Sequence, residues 1–191
     1  MAILKIARMG HPVLLRRADP VEDPTAPEIR RLIDDMIETM IDAGGVGLAA
    51  PQVHVSLRLF VFRLPTAPVD QKSVAPDDRL AGETGPGPGP HVLINPEVVP
   101  LGPEMALGWE GCLSIPGLQA AVPRHASIRY IGLGWEGERI ERVAEGRHGV
   151  IVQHENDHLD GVLYTMRMSD FSLMGFNEEV ARFQPMLPPG S

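Results

Sequence analysis

The clearest hydrophobic pattern in the chain lies just ahead of a pair of glycines, Gly44-Gly45. Apolar residues recur there at intervals of three and four, with charged residues between them, and this spacing predicts an amphipathic helix. We expect the TAPE segment at 25–28 to open the helix as a capping box, and the glycines to end it. The apolar positions are Ile29, Leu32, Ile33, Met36, Ile37, Met40 and Ile41.

A second helix is predicted from Ala144 to near Gly161. It contains the stretch VIVQHENDHLDG at 150–161, in which apolar residues flank a polar centre and favour a buried helix. Two histidines, His154 and His158, are four residues apart and therefore lie on one face, one turn from each other. Buried imidazoles need partners, so this helix is a candidate for chemistry.

The segments between the two helices favour short strands. Strands are predicted at 57–62, 91–99 and 127–133, and residues 139–143 would return as a hairpin partner. Most connections are too short for crossover helices, so the sheets should be antiparallel or mixed. We expect residues 1–24 to be irregular and the tail to form at most a short turn or strand. The pattern predicts an α+β fold with antiparallel or mixed sheets around a central helix.

Composition changes this picture at one place. Residues 65–90 contain almost no large apolar side chains and end in a Gly-Pro repeat, which predicts a flexible surface insertion between two strands. The full sequence has 43% hydrophobic and 22% charged residues, values typical of a globular protein. We therefore interpret residues 1–191 as a single domain.

Charge and cysteine content exclude several function classes. The net charge of −8 argues against direct binding of nucleic acid. The single cysteine, Cys112, rules out an intrachain disulfide and fits a reducing compartment. The first 17 residues do not resemble a secretory signal, and no apolar run approaches the ~18 residues that a membrane span needs. These features predict a cytoplasmic protein without a membrane partner.

The central helix carries a His-Glu-x-x-His pattern. Two imidazoles one turn apart can hold one metal ion, and Glu155 beside them can act as a general base toward water. The same pattern also occurs on helices that merely expose two histidines. A catalytic site of this kind needs a third protein ligand, which the helix itself does not supply.

Spacing alone leaves the third ligand open. Tyr164 occupies the position at which one class of metalloproteases has a histidine. Glu178 or Glu179 would serve in an endopeptidase if a helix carried them. Cys112 is the third candidate, although a lone cysteine is more often a small buried apolar residue. A non-catalytic protein with a structural metal site also fits these residues.

Three motifs in a fixed order resemble those of the peptide deformylases: GVGLAAPQ at 45–52, EGCLS at 110–114 and QHENDHLDG at 153–161. The resemblance runs from about Ile6 to Met168. It implies an α+β fold in which sheets surround the motif helix. It also implies a metal-dependent hydrolase that removes the N-formyl group from the formyl-methionine of new proteins and releases formate.

The resemblance assigns roles to individual residues. One divalent metal ion, most often Fe²⁺ with Zn²⁺, Ni²⁺ or Co²⁺ as alternatives, would be held by Cys112, His154 and His158. Glu155 would act as general base and then as acid. The side chain of Gln52 and the backbone N–H of Leu113 would donate to the developing oxyanion.

The resemblance also implies a substrate path and partners. Val46 and Gly47 would line the path of the substrate strand, and Val150 and Ile151 would help to form the pocket for the methionine side chain. The partners would be N-formyl-methionyl peptides and nascent chains, and transient association with the ribosome is left open. We further interpret Asp157 and Arg129 as an ion pair behind the metal ligands, the alternative being two ordinary solvent-facing charges.

Overall fold

The computed structural model describes residues 2–64, 89–183 and 187. Within these residues it contains three α-helices and eight strands, with short 3-10 turns between them. The helices are α1 (Pro27–Asp42), α2 (Gly146–Leu159) and α3 (Asn177–Phe183). The strands are β1 (Gly47–Ala49), β2 (Leu59–Arg63), β3 (Pro90–Pro100), β4 (Met105–Cys112), β5 (Ile115–His125), β6 (Ser127–Leu133), β7 (Arg139–Glu145) and β8 (Met174–Phe176).

The strands form two separate antiparallel sheets. Five strands pair in the order β1-β2-β3-β6-β7, and three pair in the order β4-β5-β8. Every pairing between these strands is antiparallel. The α+β fold predicted from the sequence is therefore confirmed, and the sheets are antiparallel and not mixed.

Strand β2 explains how the two long helices are placed. Successive side chains of a strand point to opposite faces of a sheet. Leu59 and Val61 pack in the cluster that contains the apolar face of α1. Phe60 and Phe62 pack in the cluster that contains Ile151, Val152 and Leu159 of α2. The continuous apolar run of β2 thus reflects burial on both faces.

Helix α2 also contacts β5 of the three-stranded sheet, so it lies between the two sheets. A third apolar cluster closes this side and joins β5 to the N-terminal segment and to the turn that follows α2. Its buried members are Ala7, Leu14, Ile115, Ala120, Val122, Leu163 and Tyr164. The central position of α2 brings residues of both sheets to its polar side chains.

Several local predictions need correction. The capping box at 25–28 is wrong, because Ala26 is the N-cap of α1 and the Thr25 hydroxyl donates to Asp23 Oδ1 at 2.7 Å instead. The tail is more ordered than expected, since β8 pairs with β5 and α3 follows it. The predicted insertion at 65–90 falls on residues outside the described ranges, except for its last two.

Among the described residues no helix is long and apolar enough to cross a membrane.

Candidate metal centre and active site

The structure brings Cys112, His154 and His158 together. Cys112 ends β4, and the two histidines lie one turn apart on α2. The Cys112 Sγ atom is 3.3 Å from His158 Nε2, and one ligand atom from each residue lies within 4.8 Å of the others. A thiolate and two imidazoles suit a divalent transition metal such as zinc or iron. The residues present therefore fit a metal ion.

Local features of each element aim these three side chains. The pairing of β4 with β5 shifts between Gly111 and Cys112, and such a bulge redirects the following side chain. On α2, the ring of His154 stacks on Tyr164, with centroids 6.1 Å apart and planes 24° apart. Both histidines are buried, whereas Cys112 is half-buried. The metal-ligand group thus has one open side.

His154 is oriented from behind by a carboxylate. Its Nδ1 atom lies 2.7 Å from Glu110 Oε2, and because a carboxylate only accepts, Nδ1 is the donor. Carboxylates behind metal-binding histidines fix the tautomer and the ring orientation in this way. Glu110 belongs to the EGCLS motif, but nothing in the residue pattern assigns it a role of its own.

Arg124 holds Glu110 in turn. Its Nε and Nη2 atoms donate to the two carboxylate oxygens of Glu110 at 2.7 and 3.0 Å, and its Nη1 donates to Asp157 Oδ2 at 2.5 Å. Arg167 completes the chain by donating to Asp157 Oδ1 at 2.8 Å. Arg124 lowers the pKa of Glu110 against the opposing effect of burial, which is the larger single contribution. A buried ion network thus supports the metal ligands.

The predicted pair of Asp157 with Arg129 is wrong. Arg129 is half-exposed on β6 and lies 3.6 Å from Glu141 of the neighbouring strand. Its neighbours along the strand, Ile128 and Tyr130, are buried in the cluster that contains α2. Alternation along β6 therefore points Arg129 away from the helix, so the solvent-facing alternative holds for this arginine.

Glu155 lies on α2, directly after His154. It is buried, and its Oε2 atom has no hydrogen-bond partner among the described residues. Burial raises its pKa to about 7, while the charge of His154 acts in the opposite direction. A carboxyl group that titrates near neutral pH is suited to accept and return a proton.

Gly47 leaves the space that Glu155 occupies. A Cβ atom at position 47 would overlap the Glu155 carboxylate. Gly47 is also buried, and its backbone pairs with Phe62 of β2, so it has little freedom to retreat. In the GVGLAAPQ segment, the missing side chain at Gly47 therefore makes room for the side chain of Glu155.

Gln52 is fixed by hydrogen bonds at both ends of its amide. Its Oε1 accepts from the Ala49 N–H at 2.8 Å, and its Nε2 donates to Ser114 Oγ at 3.1 Å and lies 3.5 Å from Cys112 Sγ. An amide NH₂ has two hydrogens, so Gln52 Nε2 can donate to Ser114 Oγ and to Cys112 Sγ at the same time. Leu113, which follows Cys112 in the chain, lies in the same β4–β5 turn.

The structure brings some of the predicted pocket residues together, but not all of them. Val46 packs against the cluster that contains Ile151. Val150 is half-buried in the first half of α2 and does not belong to that cluster. The alternative ligands Glu178 and Glu179 are exposed on α3 and do not belong to the group of potential metal ligands found among the described residues.

The chain resembles known proteins over almost its whole length. The sequence model of the polypeptide deformylase family matches residues 3–173. The chain belongs to the polypeptide deformylase family. It is 48% identical over 179 residues to peptide deformylase 1 of Bordetella pertussis, which covers 91% of this chain and 92% of that protein.

Solved deformylase structures share the fold. The peptide deformylase of Thermotoga maritima superposes with a TM-score of 0.75 at 35% identity and covers 89% of this chain and 100% of that one. A class I type b peptide deformylase from Acinetobacter baumannii, with Met-Ala-Ser bound, has a TM-score of 0.72 at 34% identity and covers 87% of this chain and 99% of that one.

The predicted activity is therefore confirmed at the level of the family. This deformylase is a metal-dependent hydrolase that removes the N-formyl group from the formyl-methionine of newly synthesised proteins and releases formate. The Cys/His/His group is the one set of potential metal ligands found among the described residues.

Gly47→Ala is expected to lower kcat for a formylated peptide by roughly 100-fold, the loss that a displacement of about 1 Å at a reacting group can cause. The added methyl group would push the Glu155 carboxylate out of place. Formate release measures the effect. Gly108→Ala on β4 is the matched control, because a Cβ there meets nothing within 4 Å. Equal kcat values for the two variants would contradict this role of Gly47.

Proposed function

We propose that Cys112, His154 and His158 hold one divalent metal ion and that this ion is Fe²⁺. The observation that supports the site is the convergence of three ligand atoms within 4.8 Å beside a buried glutamate. Iron follows from the resemblance to the family, because the ligand set alone accepts several metals. When bound, the ion polarises the formyl oxygen and makes water a better nucleophile.

In this proposal Glu155 moves the proton. It takes a proton from the attacking water and then gives it to the leaving amine nitrogen. Its burial, its unpartnered oxygen and its pKa of about 7 support this role. The Glu155 carboxylate lies against Gly47, in the space that a Cβ atom at that position would fill.

Two donors stabilise the oxyanion that forms at the formyl carbon. The side-chain Nε2 of Gln52 and the backbone N–H of Leu113 supply them, and the Nε2 hydrogen that is donated to Cys112 Sγ would turn to the oxyanion. Gln52 Nε2 lies 3.5 Å from Cys112 Sγ, so it already points to the side of the site where the formyl group would bind. One such donor contributes about 3 kcal/mol in other hydrolases.

The substrate would bind as an extended chain. Strand β1 is an edge strand, and the residue before it, Val46, begins the path of the substrate along Gly47. Edge strands pair readily with extended peptides. Val150 and Ile151 would contact the methionine side chain. The Met-Ala-Ser complex of the Acinetobacter relative supports binding of such peptides.

The proposal extends to the setting of the reaction. Formyl-methionine is carried by nascent chains, so the enzyme would act in the cytoplasm, in transient contact with the ribosome that presents them. The whole chain would work as one catalytic domain, because β1, β4 and α2 all contribute to the site.

Cys112→Ser is expected to lose bound metal and to lower formate release from formyl-Met-Ala-Ser by at least about 10-fold, since changes at metal sites cost that much or more. The experiment isolates the protein without oxygen, determines metal per chain, removes it with a chelator and restores single metals. Fe²⁺ should restore the highest kcat. Full metal content and activity in Cys112→Ser would overturn the proposed site.

A further inference from the structure

The segment Ala2–Met9, here called the N-terminal strap, crosses the molecule next to the active site. Its first half lies on α1, where the Ala2 and Leu4 N–H groups donate to Asp35 Oδ1 and Thr39 Oγ1 at 2.7 and 2.9 Å. Its second half reaches the loops of the site. The Ala7 N–H donates to the Gln52 carbonyl at 2.7 Å, and the Met9 N–H donates to the Ser114 carbonyl at 2.8 Å.

These two carbonyls belong to the residues that carry, or directly follow, the two proposed oxyanion donors. Gln52 lies in the 3-10 turn Ala50–Val53, which follows β1 of the five-stranded sheet. Ser114 follows Leu113 in the turn between β4 and β5 of the three-stranded sheet. No strand pairing joins the two sheets among the described residues. The strap is therefore a direct backbone connection between the two turns.

Burial anchors the strap between its two contacts. Ala7 is only 2% exposed and packs in the cluster with Ile115 and Tyr164. Arg8 is exposed, and its N–H makes no hydrogen bond within the part of the chain that the structure describes. The N–H groups of Ala7 and Met9 thus bond to the turns of the site, whereas the N–H of Arg8 between them does not.

Donors to an oxyanion work only when they are held in place before the reaction, because reorganisation would cost part of their benefit. The turns that carry Gln52 and Leu113 belong to separate sheets, so no strand pairing in the described part of the chain fixes the position of one relative to the other. The Gln52 Nε2–Ser114 Oγ bond at 3.1 Å is a side-chain link between them. Two further backbone bonds fix the peptides themselves.

We propose that the N-terminal strap positions the two oxyanion donors, through the Ala7 N–H on Gln52 and the Met9 N–H on Ser114. This inference rests on the roles proposed above for Gln52 and Leu113. Ala7 and Met9 are the positioning residues of the strap, because they act through the residues that carry or follow the two donors. Their loss should affect the transition state more than the bound substrate, and so lower kcat with little change in KM.

Proline replaces one backbone N–H without removing the chain, so Ala7→Pro and Met9→Pro each delete one of the two bonds. We expect each to lower kcat for formyl-Met-Ala-Ser by roughly 10- to 100-fold, the range that a displaced catalytic group produces. KM and metal per chain should stay within about twofold. Arg8→Pro is the matched control, because its N–H is unused, and its kcat should stay near that of the unmodified enzyme.

A second arm tests whether the effect passes through Gln52. In a Gln52→Ala background, Ala7→Pro should lower kcat by less than about twofold more, because interacting residues are not additive. An equal loss in both backgrounds, or unchanged kcat in Ala7→Pro and Met9→Pro, would overturn the proposal. If a proline variant does not unfold cooperatively, an ester in place of the Ala7 amide, introduced by semisynthesis, deletes the same N–H with the side chain kept.

Different results would contradict the proposed roles of the site residues and the proposed role of the strap. An unmodified enzyme that binds metal but releases no formate would overturn the proposed site roles and the strap together. An active enzyme whose kcat is insensitive to loss of the Ala7 and Met9 N–H groups would overturn the strap alone.

Discussion

Glu155→Gln is expected to lower kcat for formyl-Met-Ala-Ser by roughly 10²- to 10⁴-fold, the contribution of a general acid–base group. Glutamine has nearly the same shape but cannot take the proton of the attacking water. Glu155 is not one of the three metal-ligand residues, so metal per chain should be unchanged. Formate release and metal content, measured on the same preparation, check both parts.

The matched control is Glu178→Gln, on the exposed face of α3. Its kcat should stay within about twofold of the unmodified enzyme, as expected for a surface carboxylate outside the site. This control also tests the endopeptidase alternative, in which Glu178 would be a metal ligand. A Glu155→Gln enzyme that keeps its metal and more than a tenth of its kcat would show that another group moves the proton.

The second large effect concerns stability. Arg124→Met is expected to lower the free energy of unfolding of the metal-free protein by about 3–5 kcal/mol, because it leaves buried charges without their partner. The side chains of Arg124, Glu110 and Asp157 are 4%, 3% and 8% exposed. Urea unfolding followed by circular dichroism measures the change. Since whole domains are stable by only about 5–15 kcal/mol, the loss would be large.

Arg58→Met is the control for the loss of an ion pair that also holds α2. Arg58 donates to Asp160 at 2.7 Å, but Asp160 is 39% exposed and stays hydrated when its partner is removed. Its replacement should therefore cost about 1 kcal/mol or less. If Arg124→Met and Arg58→Met lower the free energy of unfolding equally, the buried network contributes no more to stability than the partly exposed ion pair.

Hydrophobic spacing predicts the elements whose burial is regular. It predicts α1, whose apolar stripe faces β2, and the β6–β7 hairpin, whose bounds differ from the prediction only at the end of β7. It does not predict the β4–β5 hairpin. Pro116, Gly117 and Pro123 interrupt β5, and a strand of that composition is stabilised by its neighbours in the sheet and by burial more than by its own preference.

In the site, residue spacing predicts the metal ligands and the glutamate on α2. It does not predict which residues from other elements lie beside them. Cys112 lies 46 residues before His158, and only the resemblance to a family selected it over other ligands. The predicted partner of Asp157 is Arg129, whereas the structure shows Arg124. Local residue patterns do not show which strand lies beside the helix, because that depends on pairing between distant segments. Ala120, Ala121 and Val122 are all buried, so alternation along β5 does not by itself mark Arg124 as a residue that points toward α2.

The placement of the metal ligands has a thermodynamic consequence. Cys112 belongs to the hairpin of one sheet, whereas His154 and His158 belong to the helix packed on the other, so a bound ion would bridge the two halves of the fold. An ion that binds only the folded chain stabilises it by about 2.7 kcal/mol at 100 times its dissociation constant. By this linkage, the supply of metal would raise the free energy of unfolding of the enzyme, as well as set how fast it works.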